Sequence, residues 1–301
     1  MRYDMKNIET KWLEDFLTLE EYRNFSQAAE KRNLSQPAFS RRIGALEDSI
    51  GVKLFDRSVV PLQLTDEGKL FHSHTRNLLQ QFQDNLDELQ GHKHSLPNIK
   101  FAAAHSLSLS ILPELIKELS FKNEHFIYSV EAIDVDETVK TLIEGRSDFI
   151  LSFYDERLMQ EPFISIEILN STLYPVSPLD EYGQPIFYLD SDTLPLLSYS
   201  PNSYMGRLVN RKLTEHNYLN LNTKFISSMT ELLKNMLLTR QGIAWLPEYA
   251  VQKELKERKI VILDREQLAI PIKAYISRMD IRLNNLAEKF WTHLQSLKII
   301  D

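Results

Sequence analysis

Cysteine is absent from this 301-residue chain, which excludes disulfides, thiolate metal centres and thiol redox switches. Any reversible oxidation of a side-chain sulfur therefore falls to the seven methionines. Glycine (8) and proline (12) are scarce, so collagen-like and low-complexity architectures are out. Basic residues are in deficit, 35 Lys and Arg against 42 Asp and Glu, for a net charge of −7. Taken over the whole chain, that balance argues against a polyanionic partner. No apolar run approaches the roughly 18 residues of a membrane span, and the opening MRYDMKNIETKW is too polar for a secretory leader. A soluble, cytoplasmic protein is expected. Neither GxSxG nor HExxH appears, and there is no phosphate loop or Rossmann glycine pattern. The reading is accordingly not an enzyme, with no cofactor.

What is present is an ordinary globular composition, 43% hydrophobic and 26% charged, over a length that suits two or three domains. Charge is also distributed unevenly. Between Arg23 and Arg57 stand seven basic residues and four acidic ones, a local excess of +3 inside an acidic chain. Trp12, Leu13, Phe16, Leu17 and Leu19 fall on one helical stripe, which predicts a first helix over Thr10 to Glu21. Ser26 is a candidate N-cap for a short second helix, SQAAEKR. A third helix opens at Ser35, with Pro37 in its first turn, where a missing N–H costs nothing. Its predicted inner face is Ala38, Phe39, Ile43 and Leu46. Its outer face carries Ser35, Gln36, Ser40, Arg41 and Arg42. Two short helices joined at Asn33 and Leu34 make a helix-turn-helix. VKLF and PLQLT then read as a hairpin wing, and a long helix follows from Thr65 to Leu89 with Phe71, Leu78, Phe82, Leu86 and Leu89 as a seam.

GHKHSLPN, at 91–98, lacks periodicity and is the expected hinge. Beyond it strand-like and helix-like segments alternate: IKFAAA, then Leu109 to Leu119; FIYSVEAI, then Val135 to Glu144; DFILSF; PLLSY, then a helix from Ser203; LNTKFIS, then a helix from Ser228; GIAWLP, then a helix from Glu248; and KIVIL. This alternation predicts a largely parallel α/β fold in two units with a cleft between them.

Ala28-Ala29, Ser35-Gln36-Pro37-Ala38-Phe39-Ser40, Ile43, Leu46-Glu47, Gly51, Leu54-Phe55, Arg57 and Leu64-Thr65 together resemble the LysR family of bacterial transcription regulators. The likeness extends past Gly91. It implies a winged helix-turn-helix DNA-binding domain at 1–65, a linker helix for dimerisation at 66–90 and a hinge at 91–97. The effector domain then occupies 98–301, a two-lobed, periplasmic-binding-protein-like fold with lobe I at about 98–168 and 269–301 and lobe II at about 169–268. Blocks such as RNFSQAA, AAAHSLSL, NSYMGRL and GIAWLPEYA are similar to a member of the family that responds to hypochlorite. The implied partners are double-stranded operator DNA at a promoter, a small-molecule or oxidant effector, and further copies of the chain, as a dimer through the linker helix paired into a tetramer. RNA polymerase is a further expected partner, and no membrane is.

By chemistry, Gln36, Arg41 and Arg42 suit base edges in the major groove, while Ser35, Ser40, Lys53 and Arg57 suit phosphates. Ser26 and Pro37 complete the expected DNA-facing set. Effector residues are expected where helices begin beyond strand ends: His105 and Ser106, Ser203, and Ser227 and Ser228. Met205 and Met229 lie beside the last two of these starts and are candidate oxidation sensors. Metal binding is not expected, because His72 and His74 point apart on a helix and His92 and His94 have no nearby acids. Two alternatives stand: a LysR-type regulator controlled by a small organic or anionic effector bound between the lobes, and a small-molecule binding protein or enzyme that does not act on DNA.

Overall fold

The computed structural model of the chain describes residues 8–90, 98–118, 126–216 and 218–296. The expected hinge at 91–97, with His92 and His94, and the helix end at Leu119 lie outside these. The chain divides into two compact units. One is built on the described part of Met1–Leu96 with Lys140–Arg146 and Ile281–Asn284, the other on that of Pro97–Val139, Ser147–Asp280 and Asn285–Asp301. A boundary placed only at the hinge would have assigned the two short segments to the second unit. They cluster with the first because side chains of the long helix bond their backbone: Arg76 donates to the Glu144 carbonyl (3.2 Å) and Gln81 to that of Arg282 (3.3 Å).

In the first unit, α1 (Thr10–Tyr22), α2 (Phe25–Lys31) and α3 (Gln36–Ile50) enclose Phe16, Leu19, Ala28, Phe39, Ile43 and Leu46, all fully buried. Burying a side chain such as Phe16 or Leu46 contributes about 1.5–3 kcal/mol, and small residues at 28 and 29 let α2 approach α1 closely. Asn24, not Ser26, caps α2: its Oδ1 accepts from the N–H groups of Ser26 and Gln27 at 2.9 and 3.1 Å. Ser26 sits one residue inside the helix. Ser35 occupies the N-cap of α3 as expected, with Pro37 in the first turn, although its hydroxyl makes no capping bond. The helix ends at Gly51, whose φ of 84° is the left-handed conformation that glycine adopts without a Cβ clash. The wing is β1 (Phe55–Asp56) paired antiparallel with β2 (Gln63–Leu64). Thr65 Oγ1 then accepts from the N–H of Gly68 (2.9 Å) and starts α4 (Asp66–Leu89).

The remaining elements are β3 (Asn98–Ala104), α5 (His105–Ser110), α6 (Leu112–Glu118), β4 (Ile127–Ile133), α7 (Thr138–Ile143), β5 (Phe149–Phe153), β6 (Phe163–Pro178), β7 (Leu194–Tyr199), α8 (Tyr204–Glu215), β8 (Leu221–Ser227), α9 (Thr230–Leu238), β9 (Ala244–Pro247), α10 (Glu248–Lys256), β10 (Ile260–Ile262), β11 (Ile270–Met279) and α11 (Asn285–Ser296). Four expectations are corrected. The helix after β3 begins at His105 rather than Leu109 and breaks at Ile111. The stretch from Val135 opens as a single 3-10 turn, Val135–Glu137. The helix after β8 is capped at Met229, not Ser228. Two long strands, β6 and β11, were not foreseen.

Those two strands organise the second unit. The main sheet runs β10-β6-β11-β5-β3-β4, with β9 also on β6. One end of β6 pairs with Ile276 to Met279 of β11, while its other end, Leu173 to Pro178, carries β9 and β10. β3 is parallel to β4 and β5, and β7 is parallel to β8 in a separate pair that bridges to the sheet at Leu196 and Ile243. Phe101, Phe149 and Phe290 fill one half, with ring centroids 5.0–5.5 Å apart. The other half is packed on Trp245, whose Nε1 donates to the Leu268 carbonyl (3.1 Å).

Candidate DNA interface and ligand cleft

The outer face of α3 divides its polar residues into two kinds. Gln36 and Arg41 are exposed. Neither makes a side-chain hydrogen bond or ion pair in the described structure, so both are free to meet a partner. Arg42, on the contrary, donates through Nη1 to Asp15 Oδ2 (3.2 Å). Asp15, on α1, is fully buried and its other oxygen accepts from Arg32 Nε at 2.7 Å. A buried carboxylate must be neutralised where it sits, and two arginines do so. The expectation that Arg42 stands free beside Arg41 is corrected: its head group is held by the protein interior. Ser35 and Pro37 are exposed and Ser40 half-buried around the same helix start.

Lys53 and Arg57 repeat the pattern at the wing. Lys53 Nζ and Arg57 Nη2 both donate to Glu47 Oε2, at 3.0 and 3.2 Å. Glu47 Oε1 accepts from the backbone of Leu54 (2.9 Å). Arg57 also lies over the Phe25 ring, 5.2 Å from its centroid. The wing tip beyond it is apolar, with Val60 97% exposed.

α4 packs Phe71 and Leu79 against the helix-turn-helix core, buries polar groups beside them and leaves other apolar side chains outside. His72, Ser73 and Thr75 are buried, whereas Leu70, Leu78, Phe82 and Leu89 are exposed, Leu78 at 57% and Leu89 at 83%. Ser73 Oγ faces the carbonyls of Leu142 and Ile143, which accounts for a hydroxyl at a buried position. His72 Nε2 lies 3.6 Å from Glu20 Oε2. Burial pushes its imidazole below the usual range, against the opposing pull of Glu20.

In the second unit the helices that follow β3, β7 and β8 all begin at carboxyl ends of parallel strands, where backbone N–H groups stand free. The effector residues expected from sequence separate here. Ser203 Oγ is occupied as a cap, donating to the Ser200 carbonyl (2.7 Å) and accepting from Gly206 N–H (3.1 Å). Glycine is required at 206, because a Cβ there would stand 2.0 Å from the Ser200 carbonyl oxygen. Ser227 Oγ accepts from Met229 N–H (3.1 Å). His105 and Ser228 are exposed. Ser106 alone is buried, and its Oγ accepts from the Tyr249 hydroxyl at 2.8 Å.

Tyr249 begins a group that sequence did not point to. Tyr199 OH and Thr230 Oγ1 are 3.0 Å apart in the same region, where α5, α9 and α10 pack together. Burial raises the pKa of both tyrosines well above that of a free phenol, so they remain neutral hydrogen-bonding groups. Tyr204 is pushed up to about 12 by burial and its ring stacks on Phe153 (5.0 Å, 9°). On the surface Arg207 grips Asp136 with two bonds, 3.0 and 2.8 Å. Met205 is 5% exposed in the first turn of α8, while Met229 is 41% exposed at the start of α9.

A winged helix-turn-helix presenting a free glutamine and arginine, followed by an α/β domain with hydroxyls gathered at its strand ends, defines a DNA-binding protein with an appended regulatory domain. Residues 10–69 match the bacterial regulatory helix-turn-helix protein, lysR family, and residues 93–298 the LysR substrate binding domain. The chain belongs to the LysR family and is a DNA-binding transcription regulator, not an enzyme. It is 56% identical to the HTH-type transcriptional regulator YjiE of Escherichia coli (strain K12) over 98% of this chain and 97% of that one. Among solved structures it resembles full-length HypT of Salmonella typhimurium, described as a hypochlorite-specific LysR-type regulator (54% identity, TM-score 0.63, 96% of this chain and 98% of that one). It also resembles DarR of Vibrio fischeri in complex with DNA (43% identity, TM-score 0.63, 97% and 100%).

Proposed function

We propose that this protein is an oxidant-responsive LysR-type regulator of the cytoplasm, in which oxidation of methionine at the strand ends of the effector domain changes how the protein holds promoter DNA. The observation that carries this reading is the placement of two methionines in a chain with no thiol. Met229 offers its thioether to solvent, and Met205 is buried in the first turn of α8. Sulfoxide formation at either converts an apolar group into a polar one. At Met205 that places a new acceptor inside a packed helix start. The likeness to a hypochlorite-specific regulator supports the choice of oxidant.

Operator reading in this proposal falls to Gln36 and Arg41 in the major groove, with Ser35 and Ser40 along the phosphates and Pro37 shaping the helix start between them. A second copy covers the apolar face of α4, since Leu78, Phe82 and Leu89 are half or more exposed among the described residues. Dimers pair into a tetramer, which presents RNA polymerase with the bound promoter. The test is to treat the protein with hypochlorite, locate added oxygen by peptide mass spectrometry, and measure binding to a duplex selected by the wild-type protein. Modification at Met205 or Met229 with altered binding is expected, both lost in a Met205→Leu/Met229→Leu variant. An undiminished response of that variant rejects these positions.

The hydroxyls of Ser106, Tyr249, Tyr199 and Thr230 favour a second reading, control by a small organic or anionic effector, because neutral donors at helix starts suit such a ligand. A thermal shift with halide or small carboxylates, without oxidant, separates the two.

A further inference from the structure

The interior of the helix-turn-helix unit holds two fully buried carboxylates, and each ends on two cations: Asp15 on Arg32 and Arg42, Glu47 on Lys53 and Arg57. Arg23 meets the part-exposed Glu20 one helical turn earlier, at 3.5 Å. Among described residues 10–65, that leaves Lys31 and Arg41 as the basic side chains with no acid beside them once Lys11 is paired with Glu9. The local excess of positive charge counted along the sequence is thus largely spoken for inside the protein.

Glu47 is the more telling of the two acids. It sits on the last turn of α3 at 1% exposure. Its four donors all come from the wing side: the backbone N–H groups of Leu54 and Phe55 (2.9 and 3.4 Å) and the side chains of Lys53 and Arg57. One carboxylate thereby ties the strand entering the wing to the helix that faces the groove. Affinity for phosphates comes from cations that displace condensed counterions, and each fully engaged cation adds about 0.9 to the slope of log K against log salt. A cation already shared with a buried carboxylate contributes less than that.

We infer that Glu47 is a positioning residue for DNA recognition, one that touches no DNA, hooks the wing to α3 and withholds part of the charge of Lys53 and Arg57 from the phosphates. Binding is then decided by the sequence under α3 more than by bulk charge. The sign of the side chain makes the claim distinctive: an acid in a DNA-binding module improves discrimination by lowering sequence-independent affinity.

The decisive variant is Glu47→Gln, which keeps the shape and an oxygen for the Leu54 N–H but removes the charge. Two probes are used on the full chain, a random-sequence duplex and a duplex selected from a random pool by the wild-type protein, each titrated over a range of salt. With circular dichroism confirming the fold, the salt slope on the random duplex is expected to steepen by about 1, since Arg57 is released while Lys53 keeps Asp48 at 3.7 Å. The ratio of selected to random affinity is expected to fall at least several-fold. A folded Glu47→Gln protein with the wild-type slope and ratio overturns the proposal. Should that variant fail to fold, Lys53→Ala decides with Glu47 intact: a slope reduced by less than about half a unit supports the shared charge, and a loss of the full 0.9 or so refutes it.

Discussion

Arg42 Nη1 donates to Asp15 Oδ2 at 3.2 Å, so a guanidinium on the outer side of α3 terminates on a carboxylate that no solvent reaches. Its neighbour Arg41, one residue earlier, points away and is exposed. Two adjacent arginines therefore do different things. Arg41→Ala is expected to leave thermal stability unchanged and to cost about 1–3 kcal/mol of discrimination between the selected and random duplexes. Arg42→Ala is expected to do the reverse, lowering folding stability by about 1–2 kcal/mol because Asp15 loses one of two charged partners. Denaturant titration alongside duplex titration distinguishes them; identical profiles for the two variants would remove the distinction.

The apolar outer face of α4 leads to an assembly prediction. Leu78→Gln/Phe82→Gln should lower the sedimentation coefficient at micromolar concentration from an oligomer toward the monomer, with helix content kept, since both side chains are exposed in the single chain. Wild-type protein sedimenting as a monomer under the same conditions would contradict the role given to α4.

His72 and His74 set a pH dependence. Burial lowers both imidazole pKa values in the folded protein, with Glu20 and Glu144 opposing and Arg76 reinforcing the shift at His72. The unfolded chain takes up these protons near pH 6.5, the folded protein only at lower pH. Between those values the unfolded state binds more protons, so stability is full above about pH 7 and declines as pH falls from about 6.5 toward the depressed folded values. Tm should drop more between pH 7.5 and 5.5 in the wild type than in His72→Gln. Parallel drops would show that His72 carries none of the effect.

Tyr249→Phe should destabilise the effector domain by about 1 kcal/mol, the contribution of one buried hydrogen bond, because Ser106 Oγ loses its donor. Arg207→Ala should cost under about 1 kcal/mol, as befits a pair exposed on both sides, and the loss should shrink further in high salt. Thermal melts at low and high salt provide the check, and a salt-insensitive loss at Arg207 would run against an exposed ion pair.

The reading helix was legible because its signals are local: Ser35 before Pro37, Phe39 and Ile43 four apart, and Gly51 to stop it. The cap of α2 was misassigned because Asn24 and Ser26 are both good caps two residues apart, and only backbone geometry chooses. Strand β6 escaped because Asn170, Ser171, Thr172 and Pro175 read as turn formers. In the fold Asn170 and Thr172 pair with Lys273 and Pro271 of β11, a partner a hundred residues away. The same distance hid Tyr249, whose bond to Ser106 spans 143 residues. Helical periodicity sets Glu47 on the stripe of Phe39 and Ile43, eight and four residues on, but its charge argued for the surface. A carboxylate can be buried only where donors arrive from elsewhere, and those donors belong to the wing.

Strands β6 and β11 pair from Phe163 with Met279 to Leu173 with Ile270, and their pairing slips by one residue between Ala274 and Tyr275. Two antiparallel ribbons crossing side by side resist bending in the plane of the sheet but twist with little loss of hydrogen bonding, most easily where the register is already broken. The slip at Ala274 and Tyr275 is thus the place along this pair where the ladder is least tied by hydrogen bonds.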